Sequence, residues 1–342
     1  MHKLKEFLAK IVDRNRILRA LFTAYKCAQN QGFSAEVDRR SKISIFDYKA
    51  LAKELVEYPY FYIPDCNYYG LYHHLLGYAG LGKEDLNLIQ KHYFYIEHGL
   101  VLGTYANQYN MGKAKLITTL SPVRKSYIDG IVNGVPTYVI GPYIHYCPSL
   151  LSADEIIAQK AALGKVLLVI PSHSIGSVTA QFDERSFISS IHEKMVGYDT
   201  VIVCLYWKDI DNGVDAIYLK EGFKVSTAGH RDDLNFIPRL KSLLLLASEI
   251  FTNNLGTHLA YALEVGVPIS IYKQKVNYKE VQFFKSNQDI LKNEQNVISS
   301  RFDRKQIEDA LANDDRLVLN QYFGLDQVKS PVEMRKLLLS IK

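Results

Sequence analysis

The sequence IFTNNLGTHLAYALEVGVPISI, residues Ile250–Ile271, contains a short apolar strand, a polar loop, an apolar helix and a second strand in that order. The apolar run Ile250–Thr252 predicts the first strand, Thr257–Glu264 predicts the helix and Pro268–Tyr272 predicts the second strand. Strands that alternate with helices in this way are typical of a parallel sheet with helical crossovers.

The same alternation extends back from this stretch through the second half of the chain. The predicted elements are a helix opened by Ser152 and ended near Gly164, the strand Lys165–Ile170, the helix Arg185–Met195, the strand Thr200–Tyr206, the strand Phe223–Ala228 and the helix Leu234–Ser248. Their order predicts a doubly wound sheet. From Asn277 onward the chain is polar, and the pattern predicts helices.

The first half predicts shorter elements, and a change of pattern separates it from the second. Its predicted strands are Tyr58–Ile63, Tyr93–Ile96, Lys115–Thr119 and Tyr138–Ile140, with helices at Phe46–Glu57 and 83–91. Prolines and glycines cluster at Gly141–Ser152, where we place the boundary. A chain of 342 residues is long enough for two α/β domains of about 150 residues each. We therefore predict domains at 1–150 and 151–342.

Composition favours a cytoplasmic protein. The four cysteines, Cys27, Cys66, Cys147 and Cys204, lie far apart without a CxxC pair, which argues against a disulfide framework or a zinc site. No apolar run reaches the roughly 20 residues that a membrane span requires, and charges interrupt the first residues where a signal peptide would be continuous.

Residues 1–26 form a basic amphipathic segment. Lysines and arginines recur between apolar residues at helical spacing, with Glu6 and Asp13 as the acidic residues. Such a helix can lie on an anionic membrane surface at the inner face of the membrane, or it can pack on its own domain. No recognised nucleic-acid motif accompanies the charge, so nucleic acid is not an expected partner.

Polar residues follow four predicted strands of the second half. Ligands in open parallel sheets bind beyond the carboxyl ends of the strands, so these loops are the candidate binding site. After the second of these strands come Trp207, Lys208 and Asp209. The other three loops supply the candidate binding residues Ser172, His173, Ser174, His230, Arg231, Asn253, Asn254, Gly256, Thr257 and His258.

The last of these loops is the most informative. Asn253–His258 precedes an apolar helix, so its backbone N–H groups face whatever lies beyond the sheet, and Gly256 allows close approach. Ordinary helix capping by Asn254 or Thr257 would account for one polar residue in the loop. Because almost the whole loop is polar, we interpret it as a phosphate site.

The run from Asn254 to Ile269 resembles the closing donor-site element of GT-B glycosyltransferases, with Ala262, Gly266 and Pro268 at matching positions. Tyr261 stands where many of these enzymes carry an acid that binds ribose. Gly229-His230 is similar to the histidine turn of GT-B sialyl- and Kdo-type transferases. The resemblance implies an α/β fold with two Rossmann-like domains facing across a cleft, a nucleotide-sugar substrate, and chemistry without a metal or other cofactor.

Catalysis by such a protein requires a base for the acceptor hydroxyl and cations for the departing phosphate. Glu97 and His98, on a turn directly after a predicted strand, are the first candidates for the base, and Asp65 is the second. A pair that stabilises its own turn is the alternative for Glu97 and His98. His230 and Arg231, with Thr257 and His258, are candidates to meet the phosphate.

The sequence therefore predicts a glycosyltransferase that moves a sugar from a nucleotide-activated donor to a growing surface glycan of capsule or lipopolysaccharide type, with a glycan or lipid-linked acceptor. Three alternatives remain open: a sugar-nucleotide epimerase, a polyol-phosphate transferase of the same shape, and a non-catalytic nucleotide-sugar-binding protein. The triplet Asp209-Ile210-Asp211 matches a metal-binding DxD motif, but its position late in the second domain argues against that role. No Walker A or GxGxxG motif occurs.

Overall fold

The computed structural model describes residues 17–18, 21, 32–55, 68–81, 94–174, 179–278, 287–302 and 313–340. Three predictions fall outside these residues: the candidate base Asp65, the strand Tyr58–Ile63 and the helix 83–91. Most of the basic segment 1–26 also lies outside them. Within the described residues, no helix is both long and apolar enough to cross a bilayer.

A parallel sheet of three strands lies in the first half of the described chain. Its strands are β1 (Phe94–Ile96), β2 (Leu116–Thr119) and β3 (Thr137–Val139), in the order β1-β2-β3. Phe94 pairs with Leu116, and Ile117 pairs with Thr137. All residues of β1 and β2 are buried, and they are apolar, aromatic or β-branched, which explains why the sequence pattern predicts both strands.

A second parallel sheet has five strands. They are β4 (Val166–Ile170), β6 (Thr200–Cys204), β7 (Lys224–Ser226), β8 (Glu249–Thr252) and β9 (Ile269–Ile271), in the order β7-β6-β4-β8-β9. From β4 the chain builds the sheet in one direction and then returns to add β8 and β9 on the other side. This reversal beside β4 is a topological switch point, where doubly wound sheets bind ligands. The predicted α/β class with parallel sheets is confirmed.

The central strand β4 shows why the second half has a clear sequence pattern. Leu168 and Ile170 pack into one apolar core, and Leu167 and Val169 pack into another on the opposite face. A strand covered on both faces is apolar at every position, as in a buried parallel sheet. A small antiparallel pair, β5 (Ala180–Gln181) with β10 (Asn277–Tyr278), was not predicted.

Helices connect and cover the strands. They are α1 (Phe33–Ser41), α2 (Tyr48–Ala52), α3 (Leu71–Tyr78), α4 (Gln108–Met111), α5 (Pro122–Ile131), α6 (Ala153–Leu163), α7 (Glu184–Lys194), α8 (Trp207–Asp211), α9 (Asp215–Lys220), α10 (Phe236–Leu246), α11 (Thr257–Val265), α12 (Gln288–Arg301), α13 (Asn313–Phe323) and α14 (Pro331–Leu339). Helix α6 begins where predicted because Ser152 and Glu155 form a capping box.

Both ends of the described chain cross from one sheet to the other. The Ser226 hydroxyl at the end of β7 donates to the carbonyl of Ile45, which precedes α2, at 2.6 Å. At the other end, Glu294 of α12 accepts a hydrogen bond from the backbone N–H of Gly103 in the first half, at 2.5 Å. The N-terminal segment thus contacts the second sheet and α12 contacts the first half. The division at residue 150 stays a prediction.

Candidate active site

The carboxyl ends of the two sheets meet at a hydrogen bond between a backbone N–H and a side-chain hydroxyl. The N–H of Leu100, in the turn after β1, donates to the Thr257 hydroxyl at the start of α11, at 2.8 Å. Between Leu100 and His98 lies Gly99, at φ +92°, and a Cβ on it would lie 2.5 Å from Thr257 Oγ1. Glycine is therefore required here for both the backbone conformation and the close approach. The turn that carries His98 is thus fixed against the predicted phosphate loop.

In the loop after β8, Asn253 faces the loop after β4 across the switch point. Its Oδ1 accepts hydrogen bonds from the backbone N–H of Ser172 at 2.7 Å and from the Ser172 hydroxyl at 3.0 Å. These two bonds fix the orientation of the amide, because only its oxygen can accept. Asn253 Nδ2 is buried and has no hydrogen-bond partner among the described residues. A buried amide of this kind is suited to an oxygen of a ligand.

Helix α11 begins after Gly256 without a side-chain cap. The N–H groups of its first turn therefore keep the partial positive charge that favours an anion. Asn254 and Thr257 were the residues that ordinary capping would use. Asn254 donates its backbone N–H to Thr252 Oγ1 at 3.3 Å, and Thr257 accepts from Leu100.

His258 holds the phosphate loop from within. Its Nε2 lies 3.1 Å from Thr252 Oγ1, and its ring lies over Gly256, where a Cβ would be 2.9 Å from the ring. Burial, together with the nearby His173, lowers the pKa of His258 to about 3. The imidazole is therefore neutral at physiological pH, and its described contacts are with the loop itself.

In the loop after β7, His230 is buried and neutral. Its backbone N–H donates to Leu51 at 3.1 Å, and its Nδ1 accepts the backbone N–H of Asp232 at 3.3 Å. Burial lowers the pKa of His230 to about 4, with further contributions from Arg231 and Arg40. Because Nδ1 accepts, the single ring proton is on Nε2. His230 therefore offers a neutral N–H, held in place by its packing on Trp207 at a ring distance of 4.2 Å.

A buried ion pair anchors this loop from below. Asp233 and Arg239 are both fully buried, and Arg239 Nη1 lies 3.3 Å from Asp233 Oδ2. Gly229 lies directly over the pair at φ +105°, and a Cβ on it would be 2.6 Å from Arg239 Nη1. The glycine before His230 is thus explained by packing over the guanidinium.

Arg231 is a partly exposed cation oriented by aromatic rings. Its guanidinium carbon lies 4.7 Å from the ring centroid of Tyr68 and 5.9 Å from that of Trp207. Its carbonyl accepts the backbone N–H of Tyr69 at 2.6 Å. Tyr69 has a positive φ of 64°, a conformation that is rare for a tyrosine and concentrated at functional sites.

Tyr68 also joins Arg231 to the predicted base. Its ring meets the ring of His98 edge-on, at a centroid distance of 5.4 Å and an angle of 84°. His98 therefore lies between Tyr68 and the Leu100–Thr257 contact. The sequence did not identify Tyr68 and Tyr69 as site residues. They lie just before α3 and not in a loop after a predicted strand, and tyrosine is too frequent in this chain for its presence to mark a site.

Glu97, the other first-choice base, is committed to protein contacts. Its carboxylate is buried and accepts from Arg124 Nη2 at 2.6 Å and from the Thr119 hydroxyl at 2.7 Å. Arg124 Nε adds bonds of 3.1 and 3.0 Å to the two oxygens. This arrangement matches the turn-stabilising alternative for Glu97.

The loops after β4 and β6 are joined by Ser174 and Asp209. The Ser174 hydroxyl donates to Asp209 Oδ1 at 2.6 Å, and its backbone N–H lies 3.2 Å from both carboxylate oxygens. Burial raises the pKa of Asp209, and the bonds from Ser174 oppose that change. Asp209 therefore holds the loop after β4 in place through Ser174. His173 packs on Tyr206 at a ring distance of 4.7 Å.

No known family model matches the sequence, and no curated protein matches it either. The fold is similar to the wall teichoic acid polymerase TagF, with a TM-score of 0.44, 11% identity, and coverage of 73% of this chain and 68% of that one. It is also similar to the glycosyltransferase SnogD from Streptomyces nogalater, with a TM-score of 0.33, 15% identity and coverage of 67% and 57%. Phytolacca americana UGT2 is similar with a TM-score of 0.27, 16% identity, and coverage of 68% of this chain and 49% of that one.

Proposed function

We propose that this chain is a glycosyltransferase that moves a sugar from a nucleotide-activated donor to a hydroxyl of a growing surface glycan. The observation that supports this most strongly is the position of His98. Its turn is bonded to the start of α11 and its ring contacts Tyr68, which stacks on Arg231. A base on one sheet thus faces a cation and uncapped N–H groups on the other.

The chemistry follows from this arrangement. The acceptor hydroxyl oxygen forms a bond to the anomeric carbon of the sugar as its proton passes to His98. The bond from that carbon to the nucleotide phosphate breaks, and the electron pair leaves with the phosphate oxygen. Arg231, the Nε2–H of His230 and the first N–H groups of α11 meet the charge that develops there. In this proposal protein groups neutralise the leaving group, and no metal or organic cofactor takes part.

Asn253 and Ser172 complete the proposed phosphate site. Ser172 fixes the Asn253 amide so that Nδ2 is left to donate, and a phosphate oxygen would satisfy it. His258 and Ser174 act indirectly, since both hold loops in place. In this proposal Glu97 stabilises the turn that carries His98 and does not take the acceptor proton.

Two measurements test the proposal. Isothermal titration with CMP-, UDP-, GDP- and CDP-linked sugars should identify one donor class that binds above background. With that donor, His98→Ala should lose turnover by about 100- to 10,000-fold and retain the affinity of the parent protein. Binding without turnover in the parent would support a non-catalytic protein, and unchanged turnover in His98→Ala would remove His98 from the mechanism.

Transfer of a polyol phosphate is the second candidate. Tyr261 stands at the position of the ribose-binding acid and is buried in the apolar core, so its side chain is not presented to a nucleoside. A CDP-linked polyol would need the same base and phosphate contacts. The titration panel should therefore include CDP-linked polyols, and turnover with these alone would favour this candidate. Interconversion of the sugar without an acceptor would favour an epimerase.

The surface glycan is proposed to be of capsule or lipopolysaccharide type, extended by a cytoplasmic protein attached peripherally to the inner face of the membrane. Residues 1–26 would supply the attachment. Full-length protein should float with vesicles that contain anionic lipid, and a variant that lacks residues 1–26 should not. Equal flotation of the two proteins would contradict this attachment.

A further inference from the structure

The turn that carries His98 is gripped on both sides of the histidine. Before it, the side chain and the carbonyl of Glu97 are both hydrogen-bonded within the first half of the chain. After it, the N–H of Leu100 is bonded to Thr257. The backbone of His98 is thus held on one side by the bonds of Glu97 and on the other by the bond of Leu100 to Thr257.

Arg124 fixes the side chain of Glu97. It lies in the first turn of α5, where Ser121 accepts its backbone N–H, and its guanidinium reaches the Glu97 carboxylate. Arg124 and Glu97 are each at most 4% exposed. Water therefore screens the pair weakly, and the fork of the guanidinium sets the direction of the carboxylate.

Tyr143 fixes the backbone of Glu97. Its hydroxyl donates to the Glu97 carbonyl oxygen at 2.6 Å. Tyr143 belongs to the 3-10 helix Tyr143–Tyr146, which lies in the connection between the two sheets. Burial, with the nearby Glu97 charge, raises the pKa of Tyr143 well above its usual value, so the hydroxyl keeps the proton that it donates. The linker thus contacts the peptide group next to His98.

Glu294 extends the same network to the last part of the chain. Arg124 Nη1 donates to the Gly103 carbonyl at 3.0 Å, and the Gly103 N–H donates to Glu294 of α12 at 2.5 Å. The Tyr127 hydroxyl also donates to Glu294, at 2.8 Å. Glu294 is 3% exposed, so its charge is held in the interior by these bonds.

We propose that Tyr143, Arg124 and Glu294 are positioning residues that act through Glu97 to hold His98 against the nucleotide-sugar loops. This rests on the proposed function, in which His98 takes the acceptor proton. The three residues come from the linker, from the helix after β2 and from the C-terminal segment. The placement of the base therefore depends on contacts from three separate parts of the chain, and none of the three residues touches the substrates.

A double-mutant cycle tests the proposal. Tyr143→Phe removes one hydroxyl and keeps the ring, and it should lower kcat about 10-fold while the KM for the donor and its affinity by titration stay within twofold. In the His98→Ala background, with kcat measured at high enzyme concentration, Tyr143→Phe should have no further effect, because the residue acts through His98. Glu294→Gln should follow the same pattern with a smaller loss.

Tyr218→Phe is the matched control. The Tyr218 hydroxyl is buried in the core beside the second sheet and has no hydrogen-bond partner among the described residues. Its removal should leave kcat unchanged. A binding stoichiometry of one donor per chain in each variant would show that the protein is folded.

The outcomes separate this inference from the proposed function. If His98→Ala keeps full turnover, the proposed function fails. If His98→Ala loses turnover but Tyr143→Phe lowers kcat equally in both backgrounds, or not at all, the positioning role is overturned. Arg124→Lys provides a second route: it keeps the charge and loses the fork, and it should lower kcat more than Tyr143→Phe with donor affinity retained.

Discussion

The turn of the first sheet and the loops of the second sheet meet at one site but are built differently. In the turn, the charged group Glu97 is buried and hydrogen-bonded to Arg124 and Thr119. In the loops, Asn253 Nδ2 is buried without a partner among the described residues, and α11 begins without a side-chain cap. A satisfied, rigid turn suits a base that must stay in place. Unsatisfied hydrogen-bond donors suit a site that takes an anionic ligand.

The two regions also differ in how they provide positive charge. In the loops, burial lowers the pKa of His258, in the phosphate loop, to about 3. Burial also lowers the pKa of His230, which packs on Trp207, to about 4. They remain neutral hydrogen-bonding groups above about pH 5, so neither ring supplies positive charge there, whereas the Arg231 guanidinium beside Trp207 does. Binding of the nucleotide-sugar donor should therefore vary little between pH 6 and pH 8, and turnover should carry the pH dependence of the base.

Beyond the loss of His98 itself, the largest effect should come from the contact between Gly99 and Thr257, which joins the regions. Gly99→Ala places a methyl group 2.5 Å from Thr257 Oγ1 and forces alanine to a φ of +92°. Displacing the turn by about 1 Å should lower kcat/KM by about 100-fold. Gly197→Ala is the control, since Gly197 has a φ of +87° and no atom within 4 Å of the added Cβ. Equal losses in the two variants would show that backbone strain, and not the contact, is responsible.

Arg231 should give the next largest effect, on both donor affinity and turnover, because it would contact the bound phosphate and meet the further charge that develops as the phosphate leaves. Arg231→Ala should weaken the affinity for the nucleotide-sugar donor by about 10- to 100-fold, the range for a hydrogen bond to a charged group. The donor affinity of Arg231→Lys should lie between those of the parent protein and Arg231→Ala, because lysine keeps the charge and loses the stacking on Tyr68 and Trp207. The control Arg39→Ala removes an exposed ion pair with Glu36 and should not change the affinity. Unchanged affinity and unchanged kcat in Arg231→Ala would remove Arg231 from the proposed phosphate site.

The sequence predicted most elements of the second sheet because their patterns are local. Strand β4 was recognisable because both of its faces are covered, and α6 because Ser152 caps it. The polar loops after these strands were expected to lie together, because the carboxyl ends of parallel strands meet at one edge of a sheet. The order of the strands, and hence the switch point beside β4, could not be read from these patterns.

The contacts that define the site were beyond the sequence. Tyr68 reaches His98 and Arg231, and Glu97 reaches Arg124, through the docking of segments that are distant in the chain. No periodicity or spacing encodes such contacts. The sequence could not decide between Glu97 and His98 as the base. A glutamate on a tight turn gives the same pattern whether its carboxylate binds a buried arginine or faces the cleft. Asp65 stays a prediction outside the described residues.

The buried histidines should make stability depend on pH. In the unfolded chain a histidine has a pKa near 6.5, so the unfolded state takes up protons first as the pH falls. Stability is therefore complete above pH 6.5 and is lost as the pH falls towards the lowered pKa of the folded state. Between pH 7 and pH 5, the free energy of unfolding should fall by about 2 kcal/mol for each of His230 and His258.

Urea denaturation at the two pH values checks this effect. His230 faces Arg231 and Asp232 and lies near Arg40, so its share includes their charges. His230→Gln and His258→Gln should each remove about 2 kcal/mol from the difference between pH 7 and pH 5. The control His192→Gln changes an exposed histidine paired with Glu221 and should leave most of the difference in place. An unchanged difference in the first two variants would mean that these rings are accessible to protons in the folded state.

The smallest effect should come from the hydrogen bond between Leu100 and Thr257, which joins the two regions. Thr257→Val keeps the shape of the side chain and removes the oxygen that accepts the N–H of Leu100. The loss of about 1 kcal/mol corresponds to roughly a fivefold lower kcat/KM. Thr257→Ser keeps the oxygen and should stay within twofold of the parent protein. If serine is as damaging as valine, the methyl group of Thr257 matters more than its hydroxyl, and the two regions are joined by packing rather than by this bond.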